Sequence, residues 1–155
     1  MGRLRRKTHE ALRDSEERFR QMADTAPAMI WTADAHGAIT FHNQRWLDYT
    51  GLEPEANAHD WPRRVLHPDD LERCTAAWAA ALGSGNDYEI EVRNRRHDGE
   101  YRWFLTRATA VRDSGGRIVE WLGSTTDIHE RKLAEERQAI ALALADALRP
   151  LADPL

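Results

Sequence analysis

The sequence predicts an α+β domain with one five-stranded antiparallel sheet and helices packed on one face of that sheet. The first observation is a set of three strand-like segments rich in β-branched and aromatic residues, at about 88–96, 101–113 and 117–126. The second is the pair of tight turns between them, Asp98-Gly99 and Ser114-Gly115-Gly116. The third is that the last segment passes through Asp127 directly into a charged helix, so sheet and outgoing helix are joined without a loop.

A hairpin in the first half of the chain supplies the other two strands, at 29–34 and 38–43. Gly37 lies in its turn, where glycine can take the positive φ that such turns need. Asn43 is placed to cap a short helix over 44–50, and Gly51 is placed to close it. The segment from 54 to 61 fits either a loop or one short helical turn.

Three longer helices are expected, at about 8–23, 67–82 and 128–148. The first ends ahead of Pro27, because proline cannot continue a helix and biases the residue before it away from helical backbone. The second has Pro68 in its first turn, followed by the acidic pair Asp69 and Asp70 at the positive end of the helix dipole. The third is expected to stop at Pro150.

Both flanking helices carry a thin apolar stripe. In the first, Leu12 and Phe19 are one heptad apart, which fits either a seam with a partner helix or a cap on the domain's own sheet. In the last, Leu133 and Ile140 repeat at seven residues and Leu144 adds a neighbouring row. This pattern favours a parallel partner helix over packing within one chain, so we expect a homodimer formed through these five residues.

The composition fits one compact domain of about 100–120 residues within the 155, with flanking segments. We divide the chain into an N-terminal linker helix (1–23), a core (24–127) and a C-terminal linker helix (128–155). The net charge of −4 gives no reason to expect nucleic acid or an anionic membrane as partner. With the single Cys74 there is no internal disulfide, and no apolar run approaches the length of a membrane span, so a cytoplasmic location is expected.

Short sequence words in a fixed order connect the chain to a known family. They are Glu16-Glu17-Arg18-Phe19-Arg20, Ala26-Pro27, Trp31, Asp34, Gly37, Asn43, Tyr49-Thr50-Gly51, His67-Pro68-Asp69-Asp70, Asp98-Gly99, Tyr101-Arg102-Trp103, Gly123 and Thr126-Asp127-Ile128. Each word is weak alone, but their joint order and spacing resembles a PAS domain with its PAC-type C-terminal half. The resemblance covers about Glu16 to Lys132.

The resemblance implies a sensory module that dimerises and relays a signal through its last helix to an effector. The tail from 145 to 155 is similar to connectors that lead into GAF domains of bacterial sensor histidine kinases, so we expect the chain to be a piece of such a kinase. No kinase apparatus occurs in this sequence, and any enzymatic activity would belong to other parts of the protein. The alternatives are a ligand-free dimerisation spacer and the sensor module of a diguanylate cyclase.

A ligand pocket is expected between the sheet and its helices. Its candidate residues are the apolar side chains of the predicted inner face together with the capping asparagine: Ile30, Phe41, Asn43, Trp46, Val65, Trp78, Ile90, Val92, Trp103, Leu105 and Leu122. The alternative is that these side chains fill the space as a dry core, which large aromatic rings favour. The ligand, if there is one, is not identified by the sequence.

No cofactor is evident. A photoactive flavin adduct would need a cysteine in the Asn-Cys-Arg-Phe-Leu-like helix of the light-sensing PAS subgroup, and Cys74 lies on a different helix. Haem would need a histidine presented into the pocket, and the nearest candidates are His42, His59, His67 and His97. None matches the haem-binding relatives, and His42 is expected to point away because its neighbour Phe41 points in. No metal site is expected, since acidic first turns such as that after His67 are ordinary helix starts.

Signal relay is expected at the junction of the last strand and the outgoing helix, at Asp127, Ile128 and Arg131. The resemblance implies that the aspartate ties this junction to the sheet. We expect a charge-assisted bond from Asp127 to Arg131 or to a strand arginine. The simpler alternative is that Asp127 only caps the helix.

Overall fold

The computed structural model describes residues 2–54 and 57–152. It contains five helices and five strands in that part of the chain: α1 Gly2–Thr25, β1 Met29–Asp34, β2 Ile39–His42, α2 Gln44–Thr50, α3 Asn57–Val65, α4 Pro68–Ser84, β3 Tyr88–Arg95, β4 Tyr101–Arg112, β5 Ile118–Asp127 and α5 His129–Ala152. The strands form one antiparallel sheet in the order β2-β1-β5-β4-β3. The predicted α+β class with a five-stranded antiparallel sheet is therefore confirmed.

The sheet has an inner face covered by helices and an outer face. Along β3 the residues alternate, with Val92 and Asn94 buried on the inner face and Glu91 and Arg93 on the outer face. The long β4 continues both faces, because Val92 lies opposite Phe104. This alternation decides which side chains can reach the interior and which can reach α5.

The short helix α2 forms where its capping residues predict it. Asn43 is fully buried, and its Oδ1 accepts a hydrogen bond from the backbone N–H of Trp46. Its Nδ2 donates to the backbone carbonyls of Ala23 and Ala28, at 2.7 and 3.0 Å. At the other end Gly51 has φ +69° and donates its N–H to Leu47. Asn43 therefore joins the end of α1, the start of β1 and the start of α2.

Three helix boundaries differ from the prediction. The first helix begins at Gly2 instead of residue 8, because residues 2–7 are mostly arginine, lysine and leucine, which are good helix formers. Within the undecided segment, the residues from Asn57 onward begin a nine-residue helix, α3 (Asn57–Val65), with Pro62 inside it. The last helix continues through Pro150 to Ala152. The fixed φ of proline is itself helical, although proline removes one backbone hydrogen bond from the helix.

The core consists of two neighbouring apolar clusters on the inner face. The larger is built around the rings of Trp31, Tyr88 and Trp121, with α4 packed against it. The smaller contains Met29, Trp46, Val65 and Phe104. Among the helices described here, none combines the length and the apolar character needed to cross a membrane.

Candidate ligand cavity and signal-relay surface

A cavity of about 300 Å³ lies between the inner face of the sheet and helices α2, α3 and α4. Several aromatic rings form its walls. The rings come from four tryptophans and one tyrosine: Trp31, Trp46, Trp61, Trp78 and Tyr88. Small and aliphatic side chains complete the lining of the cavity, among them Leu66 and Val92. The core is therefore packed around an opening of ligand size rather than filled.

The aromatic walls are held by edge-to-face contacts between neighbouring elements. Trp78 of α4 lies at the centre, with ring centroids 5.7 Å from Trp31, 5.0 Å from Tyr88 and 5.2 Å from Trp121. Its indole N–H donates to the carbonyl of Gly37 in the β1–β2 turn, at 3.2 Å. The wall therefore connects α4 to three strands and a turn.

Gly123 of β5 makes room for the ring of Trp31. A Cβ placed on Gly123 would lie 2.0 Å from the Trp31 ring, much closer than carbon atoms can approach. The two residues lie opposite each other in the β1–β5 register. The tryptophan wall of the cavity therefore depends on a glycine in the neighbouring strand.

The polar groups of the cavity are few and uncharged. Thr106 and Thr125 share a hydrogen bond of 3.2 Å, and Cys74 Sγ lies 3.3 Å from the hydroxyl of Tyr88. Burial raises the pKa of the Cys74 thiol, so it stays protonated at neutral pH. Each pair uses one donor and one acceptor, so the second donor of each pair is left without a partner within that pair.

Two cavity residues carry buried polar atoms without a partner. The amide oxygen of Asn94 and the indole nitrogen of Trp46 are enclosed, and neither has a hydrogen-bond partner among the described residues. Asn94 is 2% exposed and Trp46 is 3% exposed. Unpaired buried polar atoms are costly, so a bound molecule that reached either atom would be stabilised there.

His42 lines the cavity, contrary to the prediction that it points away. Its ring stacks on Trp46 with centroids 4.4 Å apart, and burial lowers its pKa to about 4. The reason is a β-bulge in the β1–β2 pair, where the register shifts between Thr32 and Ala33. His42 consequently lies opposite Trp31 on the inner face, and Phe41 lies opposite Thr32 on the outer face.

On the outer face, the base of α5 is held by a group that we call the outer cluster: Glu91, Arg93, Trp103, Arg131 and Lys132. Glu91 of β3 accepts hydrogen bonds from Arg131 at 2.6 Å and from Lys132 at 2.9 Å. The hydrogen bond from Lys132 and the charges of both cations outweigh the effect of burial and lower the pKa of Glu91. Two cations also approach the ring of Trp103, Lys132 at 4.6 Å and Arg93 at 4.8 Å from its centroid.

Asp70 at the start of α4 joins that helix to the outer cluster. Its carboxylate is 4% exposed and accepts from the Arg93 side chain through both oxygens, at 3.0 and 2.8 Å. It also accepts from the Arg93 backbone N–H, at 2.8 Å. Burial raises the pKa of Asp70, but the hydrogen bonds and charge of Arg93 outweigh burial and hold the pKa below its ordinary value. A continuous set of contacts therefore runs from α4 through Arg93 and Trp103 to Lys132.

The junction between β5 and α5 has its own polar contacts. Arg102 of β4 donates to Asp127 at 2.8 Å, and Asp127 also accepts from the backbone N–H of His129 at 2.9 Å. Asp127 thus bonds to a strand arginine and also holds the backbone N–H of the first residue of α5, whereas the residue directly before that helix is Ile128. Arg131 is not a partner of Asp127, because that side chain reaches Glu91 instead. Ile128 is buried, and its N–H donates to the carbonyl of Trp103 at 2.9 Å.

The residues predicted to line a pocket divide between the two faces of the sheet. Trp46, Trp78 and Val92 line the cavity. Val65 and Ile90 are buried in the core beside it. Asn43 is the cap described above and does not line the cavity.

The remaining predicted residues lie on the outer face, so their assignment to the inner face is wrong. These residues are Ile30, Phe41, Trp103, Leu105 and Leu122. Phe41 packs against Phe19 of α1 with ring centroids 5.6 Å apart, and Trp103 belongs to the outer cluster. Both faces of this sheet carry large apolar side chains, so hydrophobicity alone does not reveal which way a strand residue points.

Several residues of the site were not predicted to belong to it. His42, Asn94, Cys74 and Tyr88 line the cavity, while Glu91, Arg93, Arg102 and Lys132 fix α5. Strict alternation counted from the buried Val92 would have placed Asn94 on the inner face. No signal in the sequence marks the ion pairs, because they join residues 23 to 41 positions apart. The side chain of His59 lies outside the described part of the structure, as do residues 153–155 of the predicted connector.

The predicted dimer residues lie along helices that extend away from the core. Leu12, Ile140 and Leu144 are exposed, Ile140 by 61%. Phe19 is half-exposed at its contact with Phe41, and Leu133 is partly buried near the base of α5. The apolar stripes of α1 and α5 therefore make few contacts with the rest of the chain described here.

Comparison with known proteins gives consistent matches. A family model described as PAS fold matches residues 39–125. The peroxide stress-activated histidine kinase mak1 of Schizosaccharomyces pombe is 35% identical over 134 residues, which cover 84% of this chain and 8% of that protein. The chain thus spans a small part of the relative it matches.

Solved structures show the same fold. A sensory box histidine kinase/response regulator from Burkholderia thailandensis has a TM-score of 0.59 and 27% identity, covering 84% of this chain and 99% of that one. The N-terminal domain of a diguanylate cyclase with a PAS/PAC sensor, from Marinobacter aquaeolei, has a TM-score of 0.60 and 24% identity. It covers 68% of this chain and 98% of that one.

Proposed function

Because the chain belongs to the PAS family, we propose that it is the sensory module of a longer cytoplasmic signal-transduction protein of the histidine kinase type. In this proposal the module takes up a small molecule in its cavity, dimerises through α1 and α5, and passes the state of the cavity along α5 to an effector. The effector would be a kinase region, with a GAF domain between it and this module. The chain itself has no catalytic role in the proposal.

The observation that carries this proposal is the attachment of α5 to the back of a cavity wall. Strand β3 presents Val92 and Asn94 to the cavity and Glu91 and Arg93 to the outer cluster. A shift of β3 that accommodates a ligand therefore moves the anchors of α5 in the same step. The size of such a signal is set by how differently the ligand binds the two arrangements of the helix.

Helix α4 offers a second connection between the same two places. It contributes Cys74, Thr75 and Trp78 to the cavity, and its first turn contributes Asp70 to Arg93. Arg93 contacts Trp103, whose ring also receives Lys132 of α5. A ligand-free spacer has no need of the cavity, which is why the cavity favours a sensory role over that alternative.

A second copy of the chain is the partner that we propose for the apolar stripe of α5. Leu133 and Ile140 repeat at heptad spacing, and Ile140 and Leu144 are exposed in the single chain. A parallel pair of α5 helices would bury this stripe and carry both subunits' signals in the same direction. By the same argument, Leu12 and Phe19 of α1 would contact the second copy at the other end of the module.

Dimerisation is tested by sedimentation equilibrium of the purified chain and two variants. Ile140→Glu places a charge in the proposed seam and should convert the dimer to monomer. Gln138→Glu adds the same charge about half a helical turn away and should leave the dimer intact. A monomeric wild-type chain, or equal effects of both variants, would contradict the proposed dimer.

Signal relay is tested in the longer protein by autophosphorylation. Asp127→Ala removes both the bond to Arg102 and the contact with the backbone N–H of His129, so kinase output should change while the fold persists. Asp87→Ala is a suitable control, because this exposed carboxylate contacts Thr109 far from α5. Kinase output that is unaltered by Asp127→Ala would count against the relay.

A further inference from the structure

We propose that the cavity binds a small, uncharged, flat aromatic molecule that carries both a hydrogen-bond donor and a hydrogen-bond acceptor. This inference rests on the proposed sensory function and adds the chemical class of the ligand. Three properties of the cavity lead to it: the shape of its walls, the absence of charge among its described residues, and the two unpaired polar atoms.

The size and walls of the cavity fit flat rings. An apolar cavity of about 150 Å³ is enough for one benzene ring, so about 300 Å³ accommodates a fused two-ring molecule. Trp31, Trp46, Trp61, Trp78 and Tyr88 offer ring faces and edges in several orientations. Aromatic rings gain from offset-stacked and edge-to-face contacts beyond the area they bury, so such walls favour an aromatic over an aliphatic guest.

The lining also selects against charged molecules. No aspartate, glutamate, lysine or arginine occurs among the described residues that line the cavity. His42 is the titratable side chain most able to supply a positive charge there, and its pKa of about 4 keeps it neutral at physiological pH. A carboxylate or phosphate would therefore enter without a counter-charge, which is strongly unfavourable in a buried site.

The unpaired atoms define what the ligand must offer. Asn94 Oδ1 is a buried acceptor and calls for an N–H or O–H group on the ligand. Trp46 Nε1 is a buried donor and calls for a carbonyl oxygen or ring nitrogen. The third such atom, Trp121 Nε1, belongs to a residue that packs behind Trp78 and does not line the cavity. A ligand that pairs both cavity atoms removes the cost of leaving each of them unpaired.

The test uses three probes of similar size on the purified 155-residue chain. Oxindole is a flat two-ring lactam with an N–H donor and a carbonyl acceptor. Indene has the same ring skeleton without either group, and indole-3-carboxylate adds a negative charge. Binding is measured by calorimetric titration, or by ligand-observed NMR for indene. We expect oxindole to bind at least about 10-fold more tightly than indene, and no saturable binding of indole-3-carboxylate.

Variants locate the binding and separate polar recognition from burial. Asn94→Leu should lower oxindole affinity by about 10-fold, because the acceptor is gone. Asn86→Leu is the matched control, since Asn86 is exposed in the turn before β3, and it should leave affinity unchanged. Trp46→Phe keeps a ring in the wall but removes the donor, and it tests the second contact even if Asn94→Leu folds poorly.

Several results would overturn the inference. Equal affinity for oxindole and indene would show that the polar atoms do not select the ligand. Oxindole affinity that is unaffected by both Asn94→Leu and Trp46→Phe would place binding elsewhere, and tight binding of the carboxylate would refute the selection against charge. Failure of oxindole to bind, combined with the expected effects of Ile140→Glu and Asp127→Ala, would refute the ligand class and leave the sensory function standing.

Discussion

Replacing Glu91 with glutamine should loosen the base of α5 without unfolding the sheet. Glu91 is the anion that holds two cations of α5, Arg131 and Lys132, at 2.6 and 2.9 Å. Glutamine has nearly the same size and can still accept one hydrogen bond, but it carries no charge. The substitution therefore isolates the charge-assisted part of the attachment.

The magnitude follows from the exposure of the partners. The side chain of Glu91 is 36% exposed and that of Lys132 is 22% exposed, so solvent weakens both contacts. About 0.5–1 kcal/mol for each contact is appropriate at such a surface, which gives about 1–2 kcal/mol in total. If the first turns of α5 open locally, this change makes their amide hydrogens exchange about 5–30-fold faster.

Hydrogen exchange measured by mass spectrometry, over peptides that cover residues 129–138, is the direct assay. Glu89→Gln is the matched control, because Glu89 lies two residues earlier on the same strand and the same face but pairs with Arg107 of the neighbouring strand β4 instead of with α5. That variant changes the net charge equally and should leave α5 unaffected. The reasoning is refuted if Glu91→Gln leaves exchange in α5 unaltered, or if Glu89→Gln accelerates it as much.

Three further predictions concern stability, each measured by urea unfolding. Gly123→Ala should destabilise the fold by about 1–3 kcal/mol through its clash with Trp31, whereas Gly83→Ala, with open space around it, should be neutral or stabilising; equal effects would contradict the packing argument. Asn43→Ala should cost about 2–4 kcal/mol, because one donor and two buried carbonyls lose their partner, and a cost below about 1 kcal/mol would disagree. The pKa of Asp70 is lowered in the folded chain. Its contribution to the free energy of unfolding is therefore fully present above the ordinary carboxylate pKa of about 4 and is lost as the pH falls through the lowered value. Asp70→Asn should flatten this acid dependence of stability, and an unaltered dependence of stability on pH would argue against it.

The order of elements was predictable from the sequence because local signals fix it. Turn residues such as Gly37 and Gly99, the cap Asn43 and the Pro68 helix start each act over a few positions, and the structure has an element boundary near each of them. The pairing of β1 with β2, and of β4 with β3 and β5, follows from strands joined in succession by tight turns, whereas the β1–β5 pairing joins strands far apart in the sequence and has no such local signal. These signals do not need knowledge of the rest of the molecule.

The face of each strand residue was less predictable, since it depends on register. The bulge between β1 and β2 exchanges the faces of Phe41 and His42, and no residue in that hairpin announces it. On β4, the apolar Trp103 was expected inside because apolar residues are usually buried, but its ring instead receives two cations on the outer face. Both errors arise because pleating sends neighbouring residues to opposite faces.

The relay contacts were predictable only in kind. A charged partner for Asp127 was expected, but choosing Arg102 over Arg131 requires the β4–β5 register, which brings Phe104 opposite Asp127. Glu91 was not a candidate, since one glutamate on a strand of alternating charge looks like an ordinary solvated face. The structure distinguishes Glu91, because Arg131 and Lys132 of α5 contact its carboxylate.

The central claim is that α4, a wall of the cavity, is energetically coupled to α5 through Arg93 and Trp103. A double-mutant cycle of Asp70→Asn and Lys132→Met tests it most directly, because these two side chains lie at opposite ends of that path. The quantity measured is the free energy of local opening of α5, from amide exchange in the wild-type chain, both single variants and the double variant. The account predicts a coupling energy of at least about 0.5 kcal/mol, and effects that add to within about 0.3 kcal/mol would contradict it.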